Sequence, residues 1–204
     1  MKKLVFAIVL LVFSSVSIVK GQTGFFKWGF KVGANLGKLD GTGYNNAFKL
    51  GYHLGGFAQV NFIKGFGVQG ELIFSQSTTR TVDNFREVYN GENLQSDADG
   101  KKINLNYLSI PIMVNIPLGT PRIKLQVGPQ YSILVSGRNV IKASGDAFKT
   151  GDFGVVGGLW FQLPIINISA RYVVGLSDMN NFSEAADQSK WRNQAIQLGV
   201  GITL

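Results

Sequence analysis

From residue 26 to the end of the chain, apolar side chains recur at every second position in stretch after stretch. That is the repeat of a β-strand, whose successive side chains point to opposite faces. A helix buries one face with a period of about 3.6 and cannot present this pattern over ten residues. Eight such stretches follow one another. The first, 26–36, sets Phe26, Trp28, Phe30, Val32, Ala34 and Leu36 against Lys27, Gly29, Lys31, Gly33 and Asn35. The second, 48–62, sets Phe48, Leu50, Tyr52, Leu54, Ala58, Val60 and Phe62 against Lys49, His53, Gln59 and Asn61. The third, 66–76, sets Phe66, Val68, Leu72 and Phe74 against Gln69, Glu71 and Ser75.

The fourth stretch, 103–116, changes phase. Leu108, Ile110, Ile112, Val114 and Ile116 keep one parity, while Ile103, Leu105 and Tyr107 take the other. A bulge near Tyr107 is expected to reset it. The fifth, 123–135, has Lys124, Gln126 and Gln130 on its polar face. The sixth is 153–163. The seventh, 166–176, carries Asn167, Ser169 and Arg171 on its polar face, and the eighth runs from about 194 to Leu204.

Connection lengths alternate. Residues around 63–65, Pro117 to Pro121 and Pro164 make short turns, whereas 40–47, 77–101, 137–151 and 177–192 are long. Short turns at one end and long loops at the other are the signature of an up-and-down membrane barrel, with the short turns on the periplasmic side. The strands are also long enough to cross a bilayer at a tilt, which takes about 9–11 residues. The alternation therefore predicts an all-β fold: an eight-stranded antiparallel up-and-down transmembrane β-barrel.

A soluble barrel alternates too, but with its polar face outward. Composition argues against that arrangement. Only 16% of residues are charged, against about 25% in a typical soluble domain. The polar faces hold mostly Gly, Asn, Gln and Ser, where a water-facing exterior would carry many Lys and Glu. Small side chains suit the interior of a narrow barrel. The apolar faces carry aromatics near both ends, such as Trp28, Phe62, Phe66, Tyr131 and Phe161, in the manner of membrane girdles. Outward Leu72 is expected to tolerate no charge, and inward Gln69 to accept serine at little cost.

The first residues read differently. Lys2 and Lys3 precede an apolar run from Leu4 to Phe13, then a small, mildly polar stretch from Ser14 to Ser17, with Val19 and Gly21 fitting the small-residue positions before a cut. This order marks a secretory signal peptide over 1–21, with the barrel domain over 22–204. The run is too short for a spanning helix of about 20 residues. The chain has no cysteine, which excludes a lipoprotein anchor, a disulfide framework and a thiol nucleophile. Removing Lys2, Lys3 and Lys20 lowers the net charge from +8 to +5. The basic residues are scattered, so no nucleic-acid partner is expected.

With the apolar faces outward, Lys31, His53, Glu71, Lys124 and Arg171 face the lumen. Glu71 lies seven residues from Lys64, and Arg171 seven residues from Pro164. They share a depth on strands opposite each other in an eight-membered ring. Glu71 and Arg171 are expected to meet directly, through Lys124 or through water, as a structural cluster that satisfies buried charge. His53 is the only histidine; acting as a general base it would need a serine and an acid beside it, and no nucleophile-elbow motif is present. Gln95 to Gly100 matches part of a calcium loop but lacks its first acid and its closing Glu. The acids of 81–100 read as a solvated loop. Residues 182–191 could form a short outer helix.

A series of short motifs runs in order along the chain: Phe30 to Leu36, Gly51 to Phe57, Gln69 to Gln76, Leu105 to Pro111, Val127 to Gln130, Asp152 to Gly154, Ala170 to Tyr172 and Gln197 to Gly201. Together they resemble the PorT-like outer membrane β-barrel family. The resemblance spans nearly the whole mature chain and implies a barrel in a Gram-negative outer membrane, without implying an activity. The expected protein is a non-enzymatic outer membrane monomer with a structural, adhesive or complex-accessory role through its long loops. It contacts outer membrane lipid and, at its loops, envelope proteins, and it uses no cofactor and no metal. The alternatives are a soluble exported barrel binding a small apolar ligand, and a lipid-modifying outer membrane enzyme using His53.

Overall fold

The computed structural model describes residues 25–44, 47–62, 65–88, 94–137, 148–179 and 190–204. The expected signal peptide and most of the expected helix at 182–191 lie outside the described residues. Eight strands form one closed antiparallel barrel in chain order, β1 pairing with β8. They are β1 (Phe26–Asp40), β2 (Lys49–Asn61), β3 (Gly67–Arg80), β4 (Lys102–Leu118), β5 (Thr120–Ser136), β6 (Gly151–Gln162), β7 (Ile166–Gly175) and β8 (Arg192–Thr203). A one-turn helix, α1 (Phe85–Val88), sits in the second long loop. At the short-turn end, Gly119 joins β4 to β5 with a φ of 73°, a left-handed conformation that glycine adopts without penalty.

The period-two pattern puts its apolar members outside. Phe30, Val32, Leu54, Leu72, Ile112, Leu159, Leu198 and Val200 are exposed on the outer wall. Lys31, Asn35, His53, Gln69, Glu71, Asn115, Lys124, Gln126, Asn167, Ser169 and Arg171 are buried inside. A soluble ligand-binding barrel has the reverse arrangement. Inward glycines are required by the narrow bore: a Cβ on Gly33 would strike the carbonyl oxygen of Leu198 and meet the His53 ring at 2.6 Å.

The expected phase reset in β4 does not occur. Ile103, Leu105 and Tyr107 point inward on the same parity as Ser109, Met113 and Asn115, and all are buried. The register does slip at this level, but the extra residue belongs to the other strand. Asn106 pairs with Ser136 and Tyr107 with Leu134, so Val135 of β5 is the unpaired residue. β3 and β4 keep one register from Val68–Val114 through Arg80–Lys102. β4 carries apolar residues inward here because its long-loop end lines an apolar core.

That core closes the lumen. Leu39, Ile103, Leu105, Tyr107 and Leu134 from the strands pack with Tyr44, Phe85, Ala98, Phe148, Met179 and Trp191 from the loops. Most strands also run beyond the alternating stretches at this end; β3 continues to Arg80, so the second loop begins at 81 and not 77.

The face assignment is checked by charge placement. Leu72→Arg puts a cation on the outer wall and is expected to cost about 2–4 kcal/mol in lipid vesicles if that position lies near the bilayer midplane. An unchanged urea unfolding midpoint would contradict the assignment.

Candidate functional site

Glu71 reaches the lumen from β3 because it sits on the inward parity between outward Gly70 and Leu72. Arg171 arrives from β7 on the opposite wall. Their side chains meet in two parallel bonds: Arg171 Nη1 donates to Glu71 Oε2 and Nη2 to Oε1, both at 2.7 Å. A fork against a carboxylate is the strongest geometry such a pair can adopt. Lys31 of β1 adds its ammonium to Glu71 Oε2 at 3.3 Å. All three side chains are at most 1% exposed.

One carboxylate thus faces two cations, and neutral amides complete the coordination. Gln69 donates to Glu71 Oε1 at 2.6 Å. Gln126 of β5 accepts from Arg171 Nε at 3.0 Å and from Nη2 at 2.6 Å. Gln126 in turn donates to Gln69 at 3.1 Å and to Asn115 at 2.7 Å, and Asn115 donates to Gln69 at 3.2 Å. The network spans five strands and satisfies its members mutually, the condition under which a buried polar cluster rigidifies a core. The guanidinium also lies over the Trp160 ring at 5.7 Å. Trp160 meets Phe57 edge-on at 5.1 Å. These two inward aromatics, fully or nearly buried, fill the bore beside the ion pair.

Lys124 does not join Glu71, a departure from the cluster expected from sequence. It pairs in register with Trp160, near the short-turn mouth, and donates to Asn61 Oδ1 at 3.0 Å. Gln126, two residues further along β5, occupies the depth of Arg171. His53 lies on the other side of the cluster, 1% exposed, and its ring nitrogens make no well-formed hydrogen bond. Its ring packs over Gly33 and Gly199, close to Ser169. Not foreseen from sequence was that the amides Gln69, Asn115 and Gln126 belong to this cluster. Their inward parity was the available signal.

Above this layer the four long loops knit together. Tyr44 is the hub, with ring centroids 4.9 Å from Trp191, 5.7 Å from Phe85 and 6.3 Å from Phe148. The loop backbones also bond one another: Val82 N donates to Gly43 O at 2.9 Å and Lys149 N to Met179 O at 3.0 Å, while within the last loop Met179 N donates to Trp191 O at 2.9 Å. Two acids of the second loop engage neighbouring cations. Asp99 bonds Arg86 at 2.6 Å and Asp97 bonds Lys101 at 2.9 Å. Hydrogen bonds from the Arg86 backbone and side chain hold the Asp99 carboxyl below the usual range, and the Lys101 ammonium does the same for Asp97. Among the described residues no three His, Cys, Asp or Glu side chains gather to hold a metal.

A family model described as an outer membrane protein beta-barrel domain matches residues 20–181. The chain belongs to that family. This outer membrane barrel is similar in fold to Ail, the attachment invasion locus protein of Yersinia pestis, solved in complex with the heparin analogue sucrose octasulfate. The two share 14% identity over 88% of this chain and 99% of Ail, with a TM-score of 0.50. It is also similar to Neisserial surface protein A, at 12% identity over 88% and 97% of the chains and a TM-score of 0.47. OprG from Pseudomonas aeruginosa follows at 11% identity over 87% and 95%, with a TM-score of 0.47. No curated protein sequence matches the chain.

Within the outer membrane barrel, Gln69 is a hub and not a spectator. Gln69→Ser removes its bonds to Glu71, Asn115 and Gln126, against the small cost expected from sequence. A bond to a charged group contributes about 1.5–3 kcal/mol, and a loss of that size in the urea unfolding free energy is the expected result.

Proposed function

We propose that the protein is a non-conducting, non-enzymatic outer membrane barrel with a structural, adhesive or complex-accessory role, and that its capped long loops are the working surface. The observation that carries this reading is the double closure of the lumen. A buried ion pair with its amide network crosses the bore, and an apolar core built from all four loops seals the outer end. A bore filled in this way by side chains leaves little width for a water path. The same packing holds the described loop segments around Tyr44, Phe85, Phe148 and Trp191 to the barrel, which favours recognition by a preorganised surface.

The closed wall presents no free strand edge, which supports a monomer surrounded by lipid. In this reading residues 1–21 act as the export leader, and the resemblance of the ordered motifs supports grouping the chain with the PorT-like barrels inside its family. Catalysis by His53 is disfavoured because the ring is buried in the lumen, on the opposite face of the wall from the apolar exterior. The candidate partners at the loops are proteins or ligands of the envelope surface.

Planar-bilayer recording tests the reading. Purified, heat-modifiable protein is expected to give no steady pores. Large, long-lived conductance steps would contradict it.

A further inference from the structure

The glycines of the barrel fall into two kinds. Inward ones are demanded by crowding: at Gly199 a Cβ would meet Ser169 Oγ at 2.9 Å and His53 Nε2 at 3.1 Å. Outward Gly56 and Gly70 answer to no such demand. A Cβ at Gly70 meets nothing within 4 Å, and one at Gly56 meets nothing closer than 3.6 Å. Neither has a positive φ. Glycine inside a strand weakens it, and such positions often mark a close external approach.

The two are diagonal neighbours, since Gly56 pairs with Leu72 and Ala58 with Gly70. They lie in a hollow of about 1030 Å³ in the outer wall of β1–β3, bordered by Trp28, Phe30, Leu54 and Phe74. Lys31 is the one charged residue among its lining, and its ammonium is turned to Glu71 in the lumen. On β1 the hollow extends from Phe26 to Val32. Those six steps cover about 20 Å of strand, or about 15 Å along the membrane normal at a tilt near 40°. That is half of a hydrocarbon core of about 30 Å, and it is the half next to the short turns.

We propose that this hollow is a binding site for an acyl chain of a phospholipid in the periplasmic-side leaflet. The inference rests on the membrane reading of the barrel and adds a specific lipid site to it. A peptide segment lying there would leave backbone groups unpaired in hydrocarbon, since the lining offers almost nothing but apolar surface. A second barrel presents a convex closed wall, the wrong shape for a concave floor. An acyl chain has no polar group to satisfy and follows the contour. The glycines hold that space open.

The test uses the full mature chain folded into vesicles of palmitoyl-oleoyl phosphatidylethanolamine, transferred to detergent and weighed by native mass spectrometry. The wild type is expected to retain a phospholipid. Gly56→Leu/Gly70→Leu, which fills the hollow, is expected to lose it. Gly157→Leu is the control: Gly157 is a third glycine with room for a side chain, the nearest atom lying at 4.0 Å, and it lies outside the hollow. It should retain the lipid. Gly70→Leu alone is read in the same way should the double variant fail to show the heat-dependent gel shift of a folded barrel. Equal retention in filled and wild-type proteins, or no retention by the wild type, would overturn the proposal. So would a wild-type dimer that the filling substitutions dissociate. A wild type with no gel shift would strike the membrane reading itself.

Discussion

An eight-stranded barrel closes around a bore just wide enough for side chains to fill, so every charge pointed inward must find its partner inside. At mid-barrel that constraint is met by one carboxylate. Glu71 takes the fork of Arg171 from the opposite wall and the ammonium of Lys31 from a neighbouring sector. Burying three charged groups costs several kcal/mol for each in desolvation, and the arrangement offsets this only because amides from Gln69 and Gln126, themselves braced by Asn115, satisfy what the ions leave open. The pair ties β3 to β7 across the bore, and through Lys31 and Gln126 it reaches β1 and β5.

The two ends of the lumen are finished by different chemistry. Toward the short turns, Lys124, Asn61, Gln162, Asn167 and Thr203 line the mouth with hydrogen bonds. Toward the long loops the bore turns apolar, and Tyr44, Phe85, Phe148, Met179 and Trp191 fold down upon it. An aromatic cap of this kind makes the loops part of the barrel's packing. Surface recognition and lumen closure then depend on the same residues, which links the proposed loop function to the fold that carries it.

Much of this was legible because strand parity is a strong signal where one face meets an apolar surroundings and the other a polar bore. It located the strands, the faces and the inward position of Glu71 and Arg171. Parity failed where the bore itself becomes apolar. Ile103, Leu105 and Tyr107 read as a phase break in β4, yet they face inward with Ser109; the irregularity lies at Val135 of β5. The cap was illegible for a related reason. Its members sit one or two to a loop, far apart in the chain, and nothing local announces that Tyr44 and Trp191 meet at 4.9 Å. Lys124 shows the limit of counting along strands. It shares the lumenal parity of the cluster, but its register with Trp160 sets it nearer the mouth.

If the lumenal ion pair holds the filled barrel together, a double-mutant cycle in lipid vesicles reads that coupling out. Glu71→Gln strands two buried cations and is expected to cost about 3–5 kcal/mol, the range for breaking a buried pair. Arg171→Gln leaves Glu71 its bond to Lys31 and is expected to cost less. The double variant should fall well short of the sum of the two, because the groups act as a unit. Additive losses, or an unfolding midpoint unmoved by Glu71→Gln, would contradict the account.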